Sequence, residues 1–199
     1  MISEGTWLNV NVCVKGMYHI DIGDNCYIGR RNFFSPGKQI VVGDYFMSGI
    51  DCRFISAGHK FEDPLVPYVS TSTTDDKKII IETNVWCGTG VTIVGDINIG
   101  RGSIIGAGAL VNSSIPPFSI VVGNPSKVIR RYSFVEKMWI SVSELCEKMG
   151  GGDGAIDEGV LEKFLNIPTE AEYNDLLKKK GINIRIPYQA SSRRFGDLP

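Results

Sequence analysis

Aliphatic and small residues return at every sixth position through the middle of the chain. Two such series run in step, offset by four residues. The first comprises Ile81, Cys87, Ile93, Ile99, Ile105 and Val111, and the second comprises Val85, Val91, Ile97, Ser103, Ala109 and Ile115. This period fits neither the helical repeat of about 3.6 residues nor the two-residue alternation of an ordinary strand. It is typical of a parallel β-helix, in which each repeat gives one short strand and one corner. We therefore predict an all-β coil with both series facing inward.

The repeats are interrupted once by a long segment. Hexads run in phase from Val42 to Phe54. The next series of hexads begins at Ile81, which comes 81 − 54 = 27 residues later, and 27 is not a multiple of six. Residues 60–78 between them hold prolines and a run of Ser, Thr and Asp, a composition typical of a loop. We predict a β-helix domain over residues 1–125, with residues 60–78 extruded from it as a loop.

A different pattern follows Pro116 and Pro117. Apolar residues at three-to-four spacing predict helix over Ser126–Met149, and shorter helices are expected over Ile156–Leu165 and Thr169–Lys180. The run Gly150–Gly154 predicts a flexible break, and the tail after Ile182 a strand and then irregular chain. Residues 126–199 are therefore predicted to form a C-terminal α-helical extension.

Composition and charge exclude several classes of protein. The chain has 199 residues and a formal net charge of −1, so we expect neither a nucleic-acid partner nor a charged membrane surface. No apolar run approaches the roughly 20 residues that span a bilayer, and the N-terminus does not resemble a secretory signal. The cysteines number five and show no CxxC spacing, which predicts reduced thiols and a cytoplasmic location.

Only two histidines are present, His19 and His59. His59 ends a hexad where the loop leaves the coil, so it is predicted to be both rigidly held and reachable from solvent. Histidine changes protonation near neutral pH and suits general-base catalysis. No orienting carboxylate is selected, although Glu62 and Asp63 follow closely and Asp51 lies one coil edge earlier. Two histidines cannot supply a three-histidine zinc site, so no metal is predicted.

Three stretches resemble hexapeptide-repeat acyltransferases, above all the galactoside, maltose and polysaccharide O-acetyltransferases. They are Val42–His59, Asn84–Gly88 and Ile105–Arg130, of which the last includes Val122-Gly123-Asn124-Pro125. The resemblance covers somewhat over half of the chain. It implies a left-handed coil, acetyl-CoA as co-substrate, and a homotrimer with shared active sites. It also implies that His59 removes the proton from an acceptor hydroxyl, which then attacks the thioester directly.

The same resemblance assigns further site residues. Thr89 matches the position whose backbone N–H lies by the thioester, and Ala107 matches one that contacts the pantetheine arm. Trp86 and Asn32 match residues at the acceptor site. Three more positions correspond to contacts with the nucleotide end of coenzyme A: Asn112, Lys127 and Arg130. Lys and Arg suit phosphate groups.

These observations predict an acetyl-CoA-dependent O-acetyltransferase that modifies a sugar hydroxyl, in polysaccharide or glycan biosynthesis. The stretch from His59 to Pro64 resembles exopolysaccharide acetyltransferases and favours a sugar or polysaccharide acceptor. Two alternatives stay open. One is an antibiotic acetyltransferase, and the other is a non-catalytic β-helix scaffold, because repeats specify a fold and not an activity.

Overall fold

The structure is a computed structural model that describes residues 1–3, 5–16, 19–150 and 157–180, and the backbone of Arg193–Arg194. Most of its strands are very short, as corner-rich repeats require. In chain order the strands are β1 (Trp7–Leu8), β2 (Cys13–Val14), β3 (Ile20–Ile22), β4 (Tyr27–Ile28), β5 (Phe33–Ser35), β6 (Gln39–Val42), β7 (Met47–Ser48), β8 (Arg53–Ile55), β9 (Gly58–His59), β10 (Thr73–Thr74), β11 (Lys78–Ile81), β12 (Trp86–Cys87), β13 (Thr92–Val94), β14 (Ile97–Ile99), β15 (Ile104–Ile105), β16 (Leu110–Val111), β17 (Ser119–Val122), β18 (Lys127–Ser133), β19 (Met138–Ser141) and β20 (Arg193–Arg194). The helices are α1 (Val142–Lys148), α2 (Glu158–Leu165) and α3 (Glu170–Lys179), with a 3-10 turn at Tyr68–Ser70.

Three parallel sheets form the walls of a coil. Sheet I contains β3, β6, β11 and β14; sheet II contains β1, β4, β7, β12, β15 and β17; sheet III contains β2, β5, β8, β13 and β16. The chain visits sheets I, II and III in order and then returns to sheet I one strand farther along. Each circuit is one turn of the coil, so the predicted architecture of short parallel strands is confirmed.

Both six-residue series point into this coil. None of their members is more than 5% exposed, and they stack in register from turn to turn. Inward positions of neighbouring turns pair directly, for example Phe34 with Phe54 and Phe54 with Ile93. The two phenylalanine rings stack with centroids 4.6 Å apart. The hydrophobic core is therefore one continuous column along the coil axis.

The phase shifts in the sequence are insertions at the corner between sheets III and I. From Phe34 to Val42 the inward step is 42 − 34 = 8 residues, two more than a hexad, because Pro36–Lys38 widen that corner. One turn later the same corner releases residues 60–77, whose first eleven are all exposed. The base of this loop is closed by β9 and β10, which pair antiparallel, with His59 opposite Thr73.

The predicted helix over Ser126–Met149 is wrong as far as Ser141. Residues Lys127–Ser133 and Met138–Ser141 are antiparallel strands that extend sheet II beyond β17. Tertiary pairing decided the outcome, because strand β17 would otherwise present an unpaired edge at the end of the coil. Helix begins only at Val142, where Ser141 accepts a hydrogen bond from the Glu144 N–H.

Helices α1 and α2 pack on β18 and β19 around Ile140, Leu145, Leu161 and Leu165, whereas α3 packs against the corner between sheets I and II. Tyr173 of α3 meets the ring of Phe118 edge-on at 4.8 Å, and its hydroxyl accepts a hydrogen bond from Asn84. Burial raises the pKa of Tyr173. Buried Arg131 pairs with Glu158 of α2 at 2.6 Å. The predicted glycine break beyond Gly150 and the tail beyond Lys180, apart from Arg193–Arg194, lie outside the described residues.

None of the helices in the described ranges combines the length and apolar character needed to cross a membrane.

Candidate active site

His59 lies at the mouth of the loop, exposed to solvent and held by the short β9–β10 ladder. Its Nδ1 is 3.3 Å from the carbonyl oxygen of Thr71. A carbonyl oxygen only accepts, so the bond requires the proton on Nδ1. In the neutral ring this leaves Nε2 with a free lone pair, which is the atom a general base uses.

Two of the three carboxylates considered as partners of His59 are engaged elsewhere, and the third, Glu62, is exposed on the loop. Asp51 accepts two hydrogen bonds from the Arg31 guanidinium, which lowers the pKa of that carboxyl group. Asp63 accepts a hydrogen bond from the Leu65 N–H. Within the described part of the chain, the orienting group of His59 is therefore the Thr71 carbonyl oxygen.

Thr89 and Ala107 occupy equivalent positions at the corner between sheets II and III, which we call the II–III corner. They are exposed and lie one coil turn apart. The Gly108 N–H donates to the Thr89 carbonyl at 2.8 Å, whereas the N–H groups of Thr89 and Ala107 donate to no protein acceptor among the described residues. Two backbone donors are thus available in a row along this corner.

Glycines make the close stacking at this corner possible. A methyl group on Gly49 would lie 2.6 Å from the Thr89 nitrogen, and one on Gly88 would lie 2.7 Å from the Ala107 nitrogen. Both distances are shorter than any normal contact, and the opposing atoms are backbone. The missing side chains therefore set the spacing of the two donors.

Lys127 continues the same line. It opens β18 opposite Val122, and the turn before it is anchored where the Ser126 N–H donates to the Leu110 carbonyl. Arg130 lies on the outer face of sheet II, opposite Ile120, and both cations are exposed. Asn112 is not brought to this line, because it follows β16 and lies at the far edge of sheet III.

Trp86 lies on the outer face of sheet II in a column of large side chains. Its register neighbours are Met47 and Ile104, and the column continues to Tyr27 and Trp7 in the earlier turns. Trp86 is 47% exposed and Met47 is 42% exposed. This face is therefore an uncharged, largely apolar stripe that stops at Arg130.

Asn32 lies inside the coil and not on an acceptor surface. Its side chain is fully buried, its Nδ2 donates to Ser48 Oγ, and its Oδ1 accepts from the Cys52 N–H. Both ends of the amide are committed to neighbouring turns, so the side chain has nothing left with which to bind a sugar. The predicted contact between Asn32 and an acceptor is corrected to a structural role.

Buried thiols are poor nucleophiles here. Burial raises the pKa of Cys26 to about 12, and it raises the pKa of Cys52 and Cys87 as well. Because the thiolate is the reactive form, these cysteines do not suit a covalent acyl intermediate. Within the described ranges, no group of three or more His, Cys, Asp or Glu side chains is arranged to hold a metal ion.

His59 and Thr89 do not meet within one chain. Val94 is the register partner of Ile55, and Thr89 lies before β13, at the opposite edge of sheet III from Val94. His59 lies beyond Ile55 on the other side. A reacting carbonyl carbon that touches both groups therefore requires them to come from different chains.

Thr71 and Arg53 differ in whether the sequence alone could have identified them. Thr71, which orients His59, could not be identified, because its contact depends on how the loop folds back over twelve residues. The outward position of Arg53 could be identified, because Arg53 immediately precedes the inward Phe54 and must therefore face outward from sheet III.

Known proteins with similar sequences and structures are acetyltransferases. A Staphylococcus aureus (strain Mu50) protein named provisionally as an acetyltransferase is 37% identical over 115 residues, covering 57% of this chain and 56% of that protein. The chain thus spans about half the length of the curated relatives it matches. No protein-family model matches the chain.

Solved structures agree with this result. A maltose O-acetyltransferase from Clostridium difficile 630 is 30% identical with a TM-score of 0.59, covering 66% of each chain. A hexapeptide-repeat acetyltransferase from Vibrio cholerae, complexed with acetyl coenzyme A, is 26% identical with a TM-score of 0.59, covering 66% of this chain and 69% of that one. The resemblance inferred from the hexads is therefore confirmed: in sequence and in fold, this chain is similar to the hexapeptide-repeat acetyltransferases.

Proposed function

We propose that the chain is an acetyl-CoA-dependent O-acetyltransferase that acts on a sugar hydroxyl, with His59 as the general base. The observation that carries the proposal is the line of Thr89, Ala107 and Lys127 along the II–III corner. From β12 through β15 and β17 to β18 there are three strand spacings of about 4.8 Å, so the line spans roughly 14 Å. Its order, from a backbone donor to a cation, suits a thioester at one end of a linear ligand and phosphates at the other.

The chemistry follows from the groups on this line and from His59. Nε2 of His59 takes the proton of the acceptor hydroxyl as its oxygen attacks the thioester carbonyl. The Thr89 N–H stabilises the negative charge that develops on the carbonyl oxygen. When the carbon–sulfur bond breaks, the departing coenzyme A thiolate receives a proton from His59. Lys127 and Arg130 would hold the phosphate groups.

A homotrimer would complete this site. Because sheet III separates His59 from Thr89, we propose that each active site combines His59 of one chain with the II–III corner of its neighbour. The exposed apolar stripe of Trp86 and Met47 on sheet II supports a contact between chains, since such stripes are costly to leave in water. In this arrangement Trp86 would line the groove beside the donor. The left-handed sense of the coil belongs to the same proposal.

Asn112 and the C-terminal helices lie away from the line of Thr89, Ala107 and Lys127. Asn112 is exposed across sheet III from Ala107, so we expect it to contact the nucleotide only if the neighbouring chain brings that end of the ligand there. Within residues 126–199, β18 and β19 continue sheet II of the coil, and we propose that the helices after them brace the coil. A role in polysaccharide or glycan biosynthesis is proposed on the resemblance, and a cytoplasmic location is proposed on the cysteine content.

The test is release of coenzyme A thiol from acetyl-CoA in the presence of a panel of mono- and oligosaccharides. An O-acetyltransferase releases thiol only with an acceptor, and the acetylated sugar appears in equal amount. Acetylation of an aminoglycoside or other antibiotic in place of a sugar would favour the alternative enzyme. Absence of both turnover and acetyl-CoA binding would leave the scaffold.

A further inference from the structure

The outer face of sheet III carries positive charge where it borders the candidate site. In its first three turns the outward residues are Cys13, Lys15, Phe33, Ser35, Arg53 and Ile55. Two of these are cations and none is a carboxylate. The outward column on sheet II, from Trp7 to Ile120, has no charged member, so the two faces differ sharply.

Arg53 stands at the centre of this face. Its register partners are Phe33 in the turn before and Thr92 in the turn after, and the strand that carries it ends four residues before His59. The side chain is exposed and, among the described residues, has no carboxylate within ion-pair distance. A rigid sheet thus presents an exposed guanidinium on the strand that precedes the predicted base in the chain.

Lys15 and Phe33 extend the same feature. The Lys15 ammonium lies 5.6 Å from the centre of the Phe33 ring, on the same face as Arg53. Lys15 directly follows β2, two turns from β8 and two residues along the strand direction from Arg53, so about 12 Å separates their backbones, with Phe33 in the turn between them. An aromatic face flanked by two cations suits a flat-sided ring that carries an anionic group.

The nearest carboxylate at the II–III corner does not neutralise the face. Asp51 forms an ion pair with Arg31, which lies in the turn below it. Arg30, next to Arg31, is exposed. Other acidic groups lie at the opposite edge of the sheet: Asp96, which accepts a hydrogen bond from the Lys78 N–H, and the loop after His59, where Asp63 accepts one from the Leu65 N–H. The lower half of sheet III therefore keeps a surplus of positive charge.

We propose that this face binds an anionic group on the acceptor, so that the preferred acceptor is a sugar bearing a carboxylate or a phosphate. Arg53 would be the residue that sets this specificity, with Lys15 and the Phe33 ring beside it. The inference rests on the proposed function, since it places the acceptor on sheet III beside His59. It assigns Arg53 to binding and not to the chemical step.

The experiment is a ligand-observed NMR titration of the full chain with three probes: D-glucuronate, D-glucose 6-phosphate and D-glucose. The proposal expects at least one anionic probe to bind roughly tenfold or more tightly than glucose, and to bind more weakly as salt is added. A preference for glucuronate indicates a carboxylate, and a preference for the phosphate indicates a phosphorylated sugar.

Variants decide whether Arg53 is responsible. Arg53→Gln should weaken binding of the anionic probe roughly tenfold, as expected for loss of a charge-assisted hydrogen bond, and Arg53→Lys should retain part of it. Lys178→Gln removes the same charge from an exposed position on α3 and should change nothing. Equal binding of all three sugars, no binding of any, or an unaffected Arg53→Gln variant would overturn the proposal.

The two proposals fail separately. Acetyl-CoA binding, titrated on the same preparations, should be the same for Arg53→Gln and the unmodified chain. Normal acetyl-CoA binding without anion selectivity would remove only the anionic acceptor. Loss of acetyl-CoA binding in the unmodified chain would remove the transferase itself.

Discussion

At the residue scale, one hydrogen bond gives the two ring nitrogens of His59 different roles. The Nδ1–H group donates a hydrogen bond to the Thr71 carbonyl oxygen, and that contact leaves Nε2 as the proton acceptor. A backbone carbonyl serves here where a carboxylate is often expected. It orients the ring without adding a negative charge next to it, which suits a base that must be neutral in order to act.

His59→Ala should lower turnover by about 10²–10⁴-fold while leaving acetyl-CoA affinity unchanged, because only the proton transfer is lost. The matched control is His19→Ala, since His19 is exposed and is the other histidine of the chain. Steady-state kinetics with a fixed acceptor give the comparison. If His59→Ala lowers turnover less than tenfold, the general base is another group.

Sequence revealed some of these residues and hid others for physical reasons. The hexad phase placed Trp86 outside the coil and Cys87 inside it, because alternation along a strand leaves no freedom. It could not place Asn32, whose hexad adjoins the two-residue insertion at Pro36–Lys38. That side chain proved to be a buried polar group satisfied by adjacent turns, a property of packing that no spacing encodes.

At the element scale, the coil corner is what positions the donors. Thr89 and Ala107 are held one turn apart because the residue that faces each of them from the preceding turn is a glycine. Gly49 faces Thr89, and Gly88 faces Ala107. The same glycines therefore allow the turns to stack closely and set the spacing of the two backbone donors. A side chain at either glycine has to push the two turns apart.

Gly88→Ala is expected to destabilise the fold by about 1–3 kcal/mol, the usual cost of overpacking, and to weaken acetyl-CoA binding by displacing Ala107. Gly159→Ala is the matched control, because position 159 is helical and its nearest atom is the end of an Asp157 side chain. That change should be neutral or stabilising by up to about 1 kcal/mol. Chemical denaturation measures both; equal effects would show that the corner is not tightly packed.

The stretch from Ser126 to Ser141 shows where element prediction fails. Val135, Met138, Trp139, Val142 and Leu145 recur at helical spacing, yet the chain up to Ser141 is strand. The spacing describes local preference, whereas the outcome depends on β17, which offers a free sheet edge at that end of the coil. Val128 packs against the end of the core, and Arg131 is buried against Glu158. Long-range pairing of this kind is not visible in periodicity.

At the scale of the whole molecule, the three faces of the coil have different characters. Sheet II presents an apolar stripe, sheet III presents cations around an aromatic ring, and the corner between sheets I and II is covered by α3. This division leaves sheets II and III, and the corner they share, for partners and ligands. It also explains why the described helices α1, α2 and α3 do not obstruct the candidate site.

The separation of His59 and Thr89 across sheet III supports a site shared between chains, and the proposed number of three chains rests on the resemblance. If one chain held the complete site, His59 would have to lie next to Thr89, and it lies beyond the opposite edge. The account therefore predicts that the assembled protein, and not an isolated chain, binds donor and acceptor together. Sedimentation at micromolar concentration should give three times the mass of one chain.

The measurement that tests the account most directly is isothermal titration of the purified chain with acetyl-CoA. We expect saturable binding with one acetyl-CoA per chain. Lys127→Ala should weaken it roughly tenfold, because a phosphate loses its charged partner, whereas Lys178→Ala should leave it unchanged. Absence of binding by the folded protein, or equal affinity in all three proteins, would contradict the assignment of the II–III corner as the site for acetyl-CoA.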